Sequence, residues 1–181
     1  MKYRKIAATI AGTIAVLSAS GCGTGSATFS DSEKPILHAS RVKEYDTLAE
    51  LKQDSVAIVQ VTASRAEQKS LNEIPTTLTN VSVDEVLWGK LPERSLSIQQ
   101  LGQMDMDLHE TGSLLENGKS YLLYVKPFHM TPGDDTGLHQ ITGGQGAYEL
   151  DAAKSEYRFI GGGAPDLPKK ITVNEMETRT W

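Results

Sequence analysis

The stretch TTLTNVSVDEVLWG, residues 76–89, carries the pattern on which the fold turns. Thr79, Val81 and Val83 fall on one face of an extended chain, with Asn80, Ser82 and Asp84 on the other, the alternation of a half-buried strand. The alternation then slips: Val86 and Trp88 are even-numbered where Val81 and Val83 are odd. One extra residue near Asp84-Glu85, a β-bulge, would return both sets to one side. Because a bulge bends its strand, the stretch predicts a strand turning a barrel corner rather than lying in a flat sandwich. Gly89 and Pro92 close the segment.

The flanking sequence reads as further strands. SVAIVQVTAS, residues 55–64, is rich in β-branched residues, with Val56 and Ile58 on one face and Ala57, Val59 and Val61 on the other. Apolar character on both faces predicts a central strand. Residues 65–74 read as a polar loop. SLSIQQL, 95–101, alternates with Leu96 and Ile98 inward, and a long polar loop follows from Gly102 to Gly118. SYLLYVK, 120–126, is a strong strand ended by Pro127, whereas LHQITGG, 138–144, is weaker. GAYEL and EYRFIG, 146–150 and 156–161, predict a hairpin around Asp151 to Ser155, with Tyr148, Leu150, Tyr157 and Phe159 on its apolar side. Two capping boxes, Thr47 with Glu50 and Thr172 with Glu175, predict one or two short helices. Strands with polar turns and so little helix imply an antiparallel all-β domain of about six strands, a small barrel over residues 36–181.

The chain has 181 residues, room for one domain and little more, and a formal charge of −5. That balance argues against nucleic acid, which is gripped through clustered Lys and Arg. Lys2, Arg4 and Lys5 open the chain, and IAATIAGTIAVL, residues 6–17, carries no charge. A basic start, a short apolar run and then small residues form the pattern of an export signal. The 16 uncharged residues from Ile6 to Gly21 fall short of a membrane-spanning helix, which needs about 20. Removal of residues 1–21 would take the three cations with it and change the formal charge to −8.

Cys22 is the chain's one cysteine. Ala19-Ser20-Gly21-Cys22 resembles the lipobox of bacterial lipoproteins; Gly21 and Cys22 match its last two positions, and Ala19 stands where Leu is commoner. The resemblance covers the first 22 residues and implies cleavage before Cys22 and a diacylglyceryl group on its sulfur. The chemistry points the same way: a lone thiol in an exported protein has no intramolecular partner, and a thioether removes that liability. Ala19 and Gly21 also satisfy the rule for an ordinary signal cut, in which case Cys22 is incidental. Residues 22–35, rich in Gly, Ser and Thr, read as a flexible tether.

A second resemblance spans about residues 45–160. VSVDEVLWGKL, LLENGKSYLLYV and GGQGAYEL follow one another as in a group of small exported bacterial proteins, and the strand series is loosely similar to the OB-like barrel of netrin-type modules. This resemblance implies an OB-like fold and no particular activity.

Several clusters could carry chemistry. In an extended DMDLHE, 105–110, Asp105, Asp107 and His109 would point the same way, as ligands for a divalent cation. An EF-hand reading fails, because Glu110 stands where that loop needs Gly. FHMTPGDDTGLH, 128–139, adds His129 and His139, though the spacing matches no zinc motif and the segment reads more simply as a loop tip. GSLLENGKS, 112–120, imitates a phosphate loop with five residues between its glycines rather than four, and it leads into a strand, so Asn117-Gly118 reads as a turn. The glycines of TGGQG, 142–146, and IGGGAP, 160–165, lack strand-to-helix context and read as bulges, turns or close backbone approach.

The sequence therefore predicts a lipid-anchored extracytoplasmic β-domain at the cell membrane that binds a protein, envelope polymer or small molecule, without catalysis or cofactor. Its expected binding surface lies among loops 65–76, 102–118 and 127–137. The alternative is a metal-assisted envelope hydrolase using Asp105, Asp107, His109, His129 and His139.

Overall fold

The bulge lies where the alternation slips. In a computed structural model, which describes residues 34–37, 43–163 and 166–178 with side chains to 175, β1 (Ala57–Leu71) pairs antiparallel with β2 (Ile74–Gly89). Gln60 faces Glu85 and Val61 faces Val83, leaving Asp84 as the extra residue. A second slip follows at Leu87, because Val59 faces Val86 and Ile58 faces Trp88. Val86 thus returns to the side of Val81 and Val83, whereas Trp88 is turned to the opposite face.

The remaining elements are α1 (Leu48–Gln53), β3 (Ser95–Leu101), β4 (Ser120–Pro127), β5 (His139–Ile141), β6 (Ala147–Asp151), β7 (Glu156–Phe159), β8 (Lys170–Thr172) and α2 (Val173–Thr178). The chain is mostly β, with eight strands among the described residues rather than about six. Strands β1–β2–β3–β5–β4 return to β1 and close a ring of five, in which β3 and β5 run parallel. From β4 the sheet continues through β6, β7 and β8. Thr47 Oγ1 accepts from Glu50 N at 3.2 Å and Thr172 Oγ1 from Glu175 N at 3.1 Å. The second box closes, with Thr172 N donating to Glu175 Oε2 at 2.9 Å, whereas the Glu50 carboxylate accepts from Asp46 N at 3.0 Å instead of Thr47 N.

Two apolar layers share β1 and β4. Ala57, Val59, Val61, Leu123, Val125 and their neighbours fill the ring, joined by Leu115 from the long β3–β4 connection. Ile58, Leu122 and Tyr124 point the other way, into a second core with Leu51 of α1 and Tyr148, Tyr157 and Ile171 of β6–β8. The double-sided apolar pattern at Ala57, Ile58 and Val59 thus marks a strand buried on both faces, although Val56 on the Ile58 side is exposed and Gln60 is half-buried.

The expected polar loop at 65–74 is instead a continuation of the β1–β2 hairpin. Asn72 and Glu73 make its turn with φ of 49° and 66°, the two positive φ angles a tight I′ connection requires. Beyond Ala63, β1 has no ladder partner on its far side among the described residues. Arg65, Glu67 and Lys69 line this edge, with Arg65–Glu67 at 2.6 Å and Lys69–Glu67 at 3.2 Å, and such charges discourage edge-to-edge pairing.

Candidate functional site

The strand pairing brings three side chains into one row. Gln99 of β3 faces Gln140 of β5, and Gln140 faces Lys126 of β4. Each alternates with a residue that fills the ring (Ile98, Ile141 and Val125), so the row lies on the outer surface. Above it opens a cleft of about 670 Å³, within the range of about 300–1,000 Å³ usual for small-ligand sites. Its walls come from all three segments expected to form a binding surface: the hairpin tip at Leu71 and Ile74, the β3–β4 connection at Glu110 to Ser113, and the β4–β5 connection at Phe128 to Met130. Ile74, Leu101 and Met130 give it exposed apolar lips.

One end of the cleft is an electrostatic corner. Asp54 accepts from Lys43 Nζ at 2.8 Å and from the Tyr45 hydroxyl at 2.7 Å. These hydrogen bonds hold the Asp54 carboxyl below its usual range. Burial, then the neighbouring carboxylate, pushes the Tyr45 phenol well above its ordinary value. The Tyr45 backbone N–H donates to Gln145 Oε1 at 3.0 Å, tying this corner to the turn after β5.

A second depression, of about 580 Å³, lies against the outer faces of β2 and β3. Asn80, Ser82, Ser95 and Ser97 line it, with Ser97 Oγ donating to Asn80 Oδ1 at 2.8 Å. His139 closes its far side, and its Nδ1 is buried without a hydrogen-bond partner among the described residues. Burial pushes this imidazole below its ordinary pKa, against a smaller upward pull from Glu93. Between the folded value and the unfolded one of about 6.5, the unfolded chain binds more protons. His139 therefore supports stability above about pH 6.5, and that support is lost as pH falls below it. His139→Gln should lose less stability than the native chain between about pH 7.5 and about pH 5 in urea unfolding; equal losses would remove His139 as the cause.

The residues singled out as metal ligands are spread over separate places. The segment after Gly102 is turned rather than extended, with Met106 N donating to Gln103 O at 3.1 Å, so Asp105 sits in a turn. Asp107 and His109 pair with each other at 3.0 Å, and hydrogen bonds from the His109 backbone and then its side chain hold the Asp107 carboxyl low. His129 lies in the other connection, against Asp134 at 3.4 Å, and His139 lies on β5. Among the described residues, no three of His, Cys, Asp and Glu gather around one point. Lys119 of the phosphate-loop imitation is held by Glu116 at 2.9 Å and Glu149 at 3.1 Å, which push its ammonium up to about 12. Cys22 and the 1–21 segment lie outside the described residues.

Gln99, Gln140 and Lys126 were not visible as a group in the sequence. Alternation puts Gln99 and Lys126 outside their strands, but only the parallel β3–β5 pairing sets them on either side of Gln140. Comparison with known proteins adds no relative: no protein family, no curated protein and no solved structure matches the chain. Among the described residues, no helix is long and apolar enough to cross a membrane.

Proposed function

We propose that the chain is a lipid-anchored, extracytoplasmic binding protein whose β-domain is an OB-type barrel. The observation that carries this reading is the position of the cleft. OB barrels are five-stranded, partly open Greek-key barrels that bind ligands on the face of strands 2 and 3, beside the β1–β2 and β4–β5 loops. Here a five-strand ring places the larger cleft beside β3 and β5, between the β1–β2 turn and the β4–β5 connection. The acidic balance disfavours nucleic acid as the ligand. The anchor rests on the basic start, the apolar run and the lipobox-like residues before Cys22. A diacyl group holds a protein far better than a single chain, at about 0.8 kcal/mol for each buried CH₂.

Cys22→Ala is expected to move the protein from the membrane fraction to the soluble extracytoplasmic fraction. Retention at the membrane overturns the anchor. The binding half is read from the Gln99 and Gln140 side-chain amide resonances under a panel of envelope-derived small molecules, including short peptides and disaccharides. Shifts confined to the cleft support the reading, and a panel that moves neither amide overturns it.

A further inference from the structure

Gln99 is only 6% exposed, lines the cleft, and has no side-chain hydrogen bond to any described residue. Its amide atoms are not among the buried polar atoms left without a partner, so they open onto the cleft, where water or a ligand meets them. Gln140 beside it spends one N–H on the Pro127 carbonyl at 3.2 Å, leaving its oxygen and second N–H for the cleft. The Lys126 side chain, next in the row, forms no ion pair or hydrogen bond with the described residues, although its charge helps to hold the Asp54 carboxyl low. The carboxylate nearest to it in effect, Asp54, is already engaged by Lys43 and Tyr45.

These groups specify a ligand chemistry. A primary amide both donates and accepts, as a peptide group does, so two glutamines side by side match a main chain better than they match a hydrocarbon or a phosphate. An unpaired ammonium at the end of the row matches a carboxylate. Adjacent strands stand about 4.8 Å apart, so the row spans roughly 10 Å, the length of about three extended residues. We propose that this cleft takes the C-terminal end of an extended peptide. Its free carboxylate lies on Lys126, its peptide groups over Gln99 and Gln140, and its apolar side chains against Ile74, Leu101 and Met130. The proposal rests on the reading of the chain as a binding protein and names the ligand class of that site.

The test compares N-acetyl-Leu-Ala-Leu carrying a free carboxylate with the same peptide as its C-terminal amide, titrated into the purified full chain. The carboxylate is expected to bind at least ~10-fold more tightly, as loss of a charge-assisted contact implies. Lys126→Met should abolish that preference without changing affinity for the amide form. Gln99→Leu should weaken both forms, with Lys126→Met confirmed as folded by its unchanged melting. Equal affinity for the two peptides overturns the proposal, as does a preference that survives in Lys126→Met. If neither peptide binds but another member of the panel shifts the Gln99 and Gln140 amides, the peptide class falls and the binding reading stands. If nothing shifts them, both fall.

Discussion

Leu122→Ala and Leu123→Ala are each expected to cost about 3 kcal/mol, although neighbouring residues on a strand point to opposite faces. Both side chains are fully buried. Leu123 sits inside the ring with Val59 and Val61, and Leu122 sits in the second core with Ile58 and Tyr148. Truncating either removes buried methyl groups and leaves a cavity that the surrounding strands fill only in part. For a domain of this size the loss corresponds to a fall in melting temperature of roughly 10 °C. Urea unfolding with an unchanged slope would show that the native state, not the denatured one, is affected. Ser82→Ala on an exposed outer face is the control and should stay within about 0.5 kcal/mol. If Leu122→Ala behaved like the control while Leu123→Ala did not, the β6–β8 layer would not pack on the ring as described.

The two-layer arrangement explains which parts of the fold were legible in the sequence. Ala57, Ile58 and Val59 are apolar on both faces because each face meets a different core, and that signal is local. The Asp84 bulge was legible because it breaks a clear alternation. The slip at Leu87 was not: Val86 and Trp88 keep the same parity, so they look like one face until the second core claims Trp88. Periodicity reports that a face is buried, and not which of two cores buries it.

The outer half of the β1–β2 hairpin was misread for the opposite reason. Arg65 to Leu71 forms an exposed edge, so no buried face imposes an apolar period on it. Its turn uses Asn72-Glu73 rather than the Asn-Gly pair that usually announces a hairpin. β8 is likewise faint, with Ile171 buried between exposed Lys170 and Thr172. At the candidate site the segments contributing the walls could be read as long polar stretches. The floor could not, because a three-residue strand brings Gln140 to Gln99 by a pairing between residues distant in sequence.

Gly161→Ala is expected to destabilise the domain by about 2 kcal/mol and to disturb the cleft. The glycine-rich runs at 142–146 and 160–163 meet backbone to backbone: Gly162 N donates to Gly144 O at 3.0 Å, and Gly161 bridges Gly112. A Cβ on Gly161 would lie 2.7 Å from both Cα and O of Gln145, which is main chain and cannot rotate away. Gln145 is itself buried and accepts from Tyr45 N, so displacing it strains the corner that holds Asp54. Gly161 also lines the cleft, so the same movement reaches the walls facing Lys126. Gly133→Ala separates crowding from backbone conformation. Nothing lies within 4 Å of its added Cβ, but its φ is +88°, which carries a conformational cost of about 1 kcal/mol. Gly161 has no positive φ to explain a loss, so its cost measures the close approach itself. Unfolding of both variants, with the Gln99 and Gln140 amide resonances as a second reading, decides the matter. A Gly161→Ala chain as stable as the native one, with unshifted amides, would mean that the two glycine runs do not meet at this distance.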